Sequence, residues 1–150
     1  MLAAALSLSG CSYSYEVIAI VIGGKIAFIV SPNSSSRPSC VREVEVLADR
    51  ENRANAGPGD DKGRVGYGTF WRDQVGHHCT NSFPVFYGVA LKGEALQLDQ
   101  STGSVSAKPL RVGVTYEVNT VSGAAGYGSG AFKITSDRKV INLQVREEFR

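Results

Sequence analysis

The sequence predicts an all-β protein, a single antiparallel β-sandwich of about seven to nine strands. Short runs rich in β-branched and aromatic residues recur along the chain, and residues typical of turns separate them. No stretch shows the apolar spacing of an amphipathic helix. A length of 150 residues, one fifth of them charged, suits one domain with a sizeable core.

The first two strands are predicted at 16–22 and 25–30. Both runs are almost continuously apolar, and Gly23-Gly24 between them favours a tight hairpin, because glycine adopts positive φ without a steric penalty. Lys25 interrupts the apolar stretch, which is shorter than the roughly 20 residues of a membrane-spanning helix. We therefore expect a buried hairpin here.

The rest of the chain alternates between predicted turns and predicted strands. Residues 31–39 are rich in serine and proline, and 49–64 contains few apolar side chains, so both are expected to be solvated loops. Strands are predicted at 40–47, 66–72, 83–91, 112–120, 130–135 and 139–145, with shorter ones at 95–98 and 104–107.

One motif bears on the fold. Leu110, Gly113 and Tyr116 have the spacing of the tyrosine corner of Greek-key sandwiches, such as immunoglobulin-like and fibronectin type III domains. The resemblance implies that the Tyr116 hydroxyl bonds back to the local backbone. The cysteine and tryptophan spacing of antibody domains is not matched, because Trp71 lies only eight residues before Cys79.

A second motif lies at the start of the chain. Leu8-Ser9-Gly10-Cys11 follows an apolar run and resembles the lipobox of bacterial lipoprotein precursors. The resemblance implies a signal peptide over 1–10, cleavage before Cys11 and a diacylglyceryl group on its thiol. With the strand pattern, the predicted organisation is an anchor and short linker over 11–15, followed by a single β-sandwich domain over 16–150.

The charge that opens a signal peptide is missing. Signal peptides begin with a positively charged segment, yet no Lys or Arg precedes Lys25. A translation start upstream of Met1 would supply that segment. Under this interpretation, residues 1–10 are a signal peptide that lacks its first residues. The alternative is an apolar terminus that happens to contain a cysteine.

The lipobox resemblance also implies a location. Lipoproteins are held in the cell envelope by their acyl chains, with the folded domain outside the cytoplasm. In lipoproteins of the enterobacterial type, a residue other than Asp after the anchor cysteine implies transfer to the outer membrane. Ser12 therefore implies an outer-membrane lipoprotein facing the periplasm, with an inner-membrane lipoprotein as the alternative.

The three cysteines fit an exported protein. If Cys11 is acylated, Cys40 and Cys79 remain as an even pair, which favours a disulfide in an oxidising compartment. Such a bridge would contribute about 4 kcal/mol by closing a loop of about 40 residues. The alternative is two reduced, buried cysteines in a cytosolic protein.

Neither the net charge nor the glycine-rich run supports the binding of nucleic acids or nucleotides. The net charge of +2 and the lack of a basic run give no support for nucleic-acid binding. The glycine-rich run 123–130 lacks the helix and the lysine of a phosphate loop, so we expect a flexible hairpin connection or a bulge-rich crossing, with Tyr127 at its tip. No cofactor is predicted.

Catalytic and metal sites are not predicted either. His77 and His78 are the only histidines, and neighbours in a strand point to opposite faces, so a shared metal ion is not expected. Asp60 and Asp61 lie in a loop flanked by Gly and Pro residues, where solvation should leave both pKa values ordinary. An enzyme whose site combines these four residues with Glu94 remains an alternative.

Aromatic residues suggest a recognition surface instead. If some of them face outward beside the histidines, they would form a patch for a partner. This candidate recognition patch consists of Trp71, His77, His78, Tyr87 and Tyr127.

These observations predict a lipid-anchored envelope domain with a non-enzymatic binding or structural role. Its partner would be an envelope protein or a cell-wall component. Two alternatives stay open: an envelope inhibitor or toxin-immunity lipoprotein, and a hydrolase or carbohydrate-processing module whose site is not visible in the sequence.

Overall fold

The computed structural model describes residues 11–76, 78–96 and 103–144. Within these residues the fold is all-β, as predicted, with one short helix, α1 (Lys62–Tyr67), and a 3-10 turn at Arg50–Asn52. The strands are β1 (Tyr13–Ile22), β2 (Lys25–Val30), β3 (Cys40–Val41), β4 (Glu43–Ala48), β5 (Thr69–Gln74), β6 (Asn81–Ser82), β7 (Val85–Phe86), β8 (Thr115–Ser122), β9 (Gly126–Ile134) and β10 (Val140–Leu143).

Eight of the described strands form one mixed sheet. Its order is β5-β4-β8-β9-β1-β2-β7, with β10 also paired to β9, while β3 and β6 form a small separate ladder. β1 and β9 pair in parallel; every other strand pair in the described residues is antiparallel.

The sheet curls until its two edges meet. Trp71 on the edge strand β5 packs edge-on against Tyr87, which follows the opposite edge strand β7, with ring centroids 5.3 Å apart. The finer prediction of a single antiparallel sandwich is not confirmed, because one curled sheet with a parallel pair encloses the core.

Strand β9 changes its neighbour halfway along. Its residues 126–129 pair with β1, and residues 131–134 pair with β10. Where β1 diverges from β9, the Asn142 side chain of β10 forms the hydrogen bonds that a neighbouring strand would otherwise make. Its Oδ1 accepts from the Ala19 N–H at 2.7 Å, and its Nδ2 donates to the Ala19 carbonyl at 2.8 Å. The backbone of β1 is thereby satisfied at the fork.

Glycines let β1 cross β9 closely. The Tyr15 ring lies over Gly128, where an added Cβ would be 2.2 Å from the ring edge. At Gly130 a Cβ would lie 1.9 Å from the carbonyl oxygen of Val17. The predicted flexible connection over 123–130 is therefore wrong from residue 126 onward, because these glycines belong to a strand and provide room for β1.

The tyrosine-corner contact is present. Tyr116 is fully buried, and its hydroxyl oxygen accepts a hydrogen bond from the Arg111 N–H at 2.8 Å. Its ring stacks on Phe132 and meets the edge of Phe70 in the core. This buried ring joins β8 to β9 and β5.

Several predicted elements agree with the structure and others differ from it, and the local turns explain some of these outcomes. Gly23 and Gly24 both have positive φ and close the predicted hairpin between β1 and β2. Helix α1 was not predicted, because six residues are too few to show an apolar period; Asp61 caps its start and Gly68, with φ of 112°, ends it. The predicted strand 83–91 is reduced to Val85–Phe86.

The apolar stretch near the start of the chain is a pair of strands. Among the residues described, none of the helical segments has both the length and the apolar character to cross a membrane.

Candidate functional site

The predicted disulfide is present and ties three segments together. Cys40 and Cys79 are bonded, with their Cα atoms 5.5 Å apart, and Cys79 Sγ accepts from the Gly123 N–H at 3.2 Å. Cys11 is free and exposed. The disulfide therefore lies beside the β8–β9 hairpin.

The free cysteine, Cys11, lies almost immediately before strand β1 in the sequence. β1 begins at Tyr13, three residues earlier than predicted, so Ser12 alone separates Cys11 from the strand. The Tyr13 N–H donates to the Ala125 carbonyl at 3.0 Å, which fixes the start of β1 to the same hairpin. The predicted signal peptide, residues 1–10, lies outside the described residues.

The candidate recognition patch does not form as predicted. Trp71 is only 3% exposed and Tyr87 is half-buried, with its hydroxyl donating to the Lys108 carbonyl at 2.7 Å. Tyr127 and His78 are exposed. His77 lies outside the described residues.

A bulge explains why Trp71 is buried. Val46 pairs with Trp71 and Leu47 pairs with Thr69, so Phe70 is an extra residue between the two pairs. Simple alternation would place Phe70 and Trp71 on opposite faces, but both belong to the same core cluster. The prediction of an exposed Trp71 is wrong for this reason.

Asp60 is a buried ion-pair partner rather than a solvated turn residue. Its side chain is 1% exposed and forms an ion pair with Lys108. It also accepts from the N–H groups of Gly57, at 2.6 Å, and Ser106, at 2.8 Å. Burial alone would raise its pKa, but these three interactions outweigh burial and lower the pKa to about 2, so the expected ordinary value is wrong.

Replacing Asp60 with asparagine should therefore destabilise the protein by about 1–3 kcal/mol at pH 7, because the half-buried Lys108 would lose its counter-charge. A carboxylate whose pKa is lower in the folded state stabilises fully above its unfolded value of 3.8, and this contribution disappears as the pH falls towards 2. Urea unfolding at pH 7 and near pH 2.5 should show the difference between the two proteins shrinking at acidic pH.

Asp137→Asn is the matched control, since that carboxylate is 60% exposed and paired with the exposed Lys139. We expect little change in unfolding free energy at either pH. An Asp60→Asn protein as stable as this control at pH 7 would contradict the structural role of Asp60.

The other predicted carboxylates do not join Asp60 in a catalytic group. Asp61 caps helix α1 by accepting from the Arg64 N–H at 3.1 Å, and Glu94 is exposed. In the part of the chain that the structure describes, no three His, Cys, Asp or Glu side chains are arranged to hold a metal ion.

A pair of carboxylates on the outer face of the sheet was not predicted. Glu117 on β8 is 7% exposed, and its pKa is raised by burial, lowered by a hydrogen bond from Asn119 and raised again by the charge of Glu45 on β4. Glu45 is held by Arg64 and by the Thr69 hydroxyl at 2.7 Å. Alternation along 43–46 places Glu45 on a polar face, but only the strand pairing shows that Glu117 lies beside it.

An apolar groove lies at the opposite end of the molecule from Cys11. It has a volume of about 540 Å³ and opens between the β1–β2 hairpin, the turn before β8 and the turn after β9. Its apolar lining residues are Val21, Ile26, Tyr87, Leu110, Val112 and Ile134. We call this surface the distal groove; Val21 and Val112 are 46% and 54% exposed there.

The rim of the distal groove is basic. Lys25 and Arg138 line it. None of the groove's lining residues is acidic. The arrangement therefore suits a ligand that combines apolar side chains with negative charge.

Comparison with models of known protein families, with curated proteins and with solved structures finds no significant match.

Proposed function

We propose that this protein is a lipid-anchored cell-envelope domain with a non-enzymatic binding role, attached to the membrane through Cys11. The observation that carries the proposal is the division of the cysteines. Cys11 is exposed and unbonded immediately before β1, after a lipobox-like sequence, whereas Cys40 and Cys79 are joined as expected in an oxidising compartment.

The proposed partner is an envelope protein that presents an acidic and apolar segment to the distal groove. Support comes from the exposed valines and the basic rim. Tyr13 and Val21 are eight residue steps apart along β1, so the groove lies up to about 26 Å from the anchor end along the strand. An inhibitor or toxin-immunity role would be a special case of the same binding.

Fractionation of cells that express the intact protein with its own signal sequence tests the anchor. The wild type should be in the outer-membrane fraction, and mass spectrometry of its N-terminal peptide should show an acylated Cys11. Cys11→Ser should reduce the membrane-bound share at least about tenfold, because without acylation the stable attachment is lost.

Two matched variants at the next position test the location. Ser12→Ala should stay in the outer membrane, whereas Ser12→Asp should be retained in the inner membrane, as the lipoprotein resemblance implies. Finding residues 1–10 still attached to an unmodified Cys11 would overturn the proposal, and so would a Cys11→Ser protein that stays with the membrane.

A further inference from the structure

A second groove lies on the outer face of the sheet, near the point where β1 and β10 both meet β9. It has a volume of about 570 Å³, and its walls come from β1, β9, the loop after β2, and Leu143 and Gln144 at the end of β10. We call it the serine groove. Most of its other lining side chains are polar: Ser14, Glu16, Asn33, Ser34, Ser35 and Ser129.

The strand register places an exposed tyrosine beside this groove. In the parallel ladder between β1 and β9, Ser14 pairs with Tyr127 and Glu16 pairs with Ser129. Paired residues share a face of the sheet, and so do residues two apart along a strand. The alternate residue, Tyr15, points into the core and is 4% exposed. Tyr127, which is 52% exposed, therefore lies on the outer face next to the groove.

Hydrogen bonds hold one wall of the groove in place and leave other lining groups available. The Ser34 hydroxyl accepts from the Glu16 N–H at 3.0 Å and donates to the Ser36 carbonyl at 2.8 Å. The Ser31 N–H donates to the Glu16 carbonyl at 2.8 Å. Five lining side chains make no hydrogen bond to any residue that the structure describes: Ser14, Glu16, Asn33, Ser35 and Ser129.

The charge of the groove narrows the class of ligand. Glu16 is the one charged side chain among the described residues that line it. Arg37 belongs to the same loop but lies outside the lining, where its Nη1 donates to the Ser31 carbonyl at 3.3 Å. Lys133 shares the outer face of β9 but lies four residues, about 13 Å, from Ser129. An anionic ligand would therefore meet a carboxylate and no cation inside the groove.

The free polar groups also disfavour an apolar ligand, because it would displace their water without replacing the hydrogen bonds. A sugar fits both conditions. Each of its hydroxyl groups can donate to the Glu16 carboxylate while it accepts from a serine hydroxyl or from the Asn33 amide. A sugar ring also has a face of C–H groups, and the exposed ring of Tyr127 offers a flat apolar surface for that face. The volume of the groove is typical of a small-ligand site.

From this arrangement we propose that the serine groove binds an uncharged oligosaccharide, with one sugar ring packed on Tyr127 and hydroxyl groups bonded to Glu16, Ser14 and Ser129. The proposal goes beyond the role of the distal groove, because it assigns a second ligand to a second site. It does not depend on the acylation of Cys11.

Calorimetric titration of the full-length protein tests the ligand class. The probes are four tetrasaccharides: chitotetraose, cellotetraose, maltotetraose and mannotetraose. A detergent without a sugar headgroup is used, because a sugar headgroup would compete for the groove. At least one tetrasaccharide should bind with a Kd of about 1 mM or tighter. Inorganic phosphate and spermidine, an anion and a cation, should bind at least about tenfold more weakly.

Substitutions in the groove test the contacts. Tyr127→Ala should weaken binding of the best tetrasaccharide about fivefold, because the stacking surface is lost. Glu16→Gln should weaken it about tenfold, because hydrogen bonds to a charged acceptor are lost. Both side chains are exposed, so the variants should unfold at the wild-type temperature.

Two control variants match these substitutions. Tyr13 is 41% exposed and adjacent to Ser14, but it pairs with Gly126 and lies on the opposite face of the sheet. Tyr13→Ala should therefore leave the Kd unchanged. Glu51→Gln removes an exposed carboxylate outside the groove and should have no effect either.

Amide chemical shifts of isotope-labelled protein locate the site. The tetrasaccharide should shift the amides of Ser14, Asn33 and Ser129 and leave those of Val21 and Val112, in the distal groove, unchanged. The proposal is overturned by no binding of any tetrasaccharide, by tighter binding of phosphate or spermidine, by equal effects of Tyr127→Ala and Tyr13→Ala, or by shifts confined to the distal groove. None of these results bears on the acylation of Cys11, so the two proposals fail separately.

Discussion

Replacing Gly130 with alanine is expected to lower the free energy of unfolding by more than about 3 kcal/mol. The new Cβ would lie 1.9 Å from the carbonyl oxygen of Val17 and 2.9 Å from its carbonyl carbon. Both are backbone atoms, so no side chain can rotate away, and β1 would have to move off β9. Circular dichroism during urea and thermal unfolding measures the loss.

Gly66→Ala is the control for this variant. Gly66 lies in helix α1 with no atom within 4 Å of an added Cβ, and alanine is favoured in helices, so stability should stay the same or rise by up to about 1 kcal/mol. A Gly130→Ala protein as stable as Gly66→Ala would contradict the close crossing of β1 over β9.

Removing the disulfide is expected to have a similarly large effect. The double variant Cys40→Ala, Cys79→Ala should lose about 4 kcal/mol, because the bridge closes a loop with a sequence separation of 39 in the unfolded chain. The ladder that it joins, β3 with β6, has only two residues in each strand and offers little else to hold the two segments together. Urea unfolding of the double variant measures the loss.

Two comparisons make this result specific. Reducing agent should lower the stability of the wild type but leave the double variant unchanged. Cys11→Ser should match the wild type in unfolding, since Cys11 is exposed and unbonded. A loss below about 1 kcal/mol in the double variant would mean that the bridge contributes almost nothing to the folded protein.

Features that depend on neighbouring residues could be predicted from the sequence. Gly23-Gly24 marks its hairpin because the turn needs positive φ at both positions, and Tyr116 bonds within its own corner. The disulfide was predictable because excluding Cys11 leaves a single pair. The parallel pairing of β1 with β9 was not, since strands about 110 residues apart leave no local pattern.

The candidate site was less predictable from the sequence, because it also depends on contacts between residues that are far apart in the chain. Whether Trp71 is buried depends on a bulge opposite β4 and on the ring of Tyr87, neither of which periodicity reveals. The pKa of Asp60 depends on Lys108, which is 48 residues away. The distal groove likewise combines three turns that meet only after the sheet has curled.

The pairing of the first strand with the ninth has a consequence for how the chain is made. Tyr13–Glu16 cannot find its neighbour until residues 126–129 have been synthesised, so the fold has a high contact order and cannot be completed while the ribosome is still producing the middle of the chain. A polypeptide whose first strand stays unpaired until its last third emerges remains threadable, which is what the proposed export through a narrow secretion pore would require.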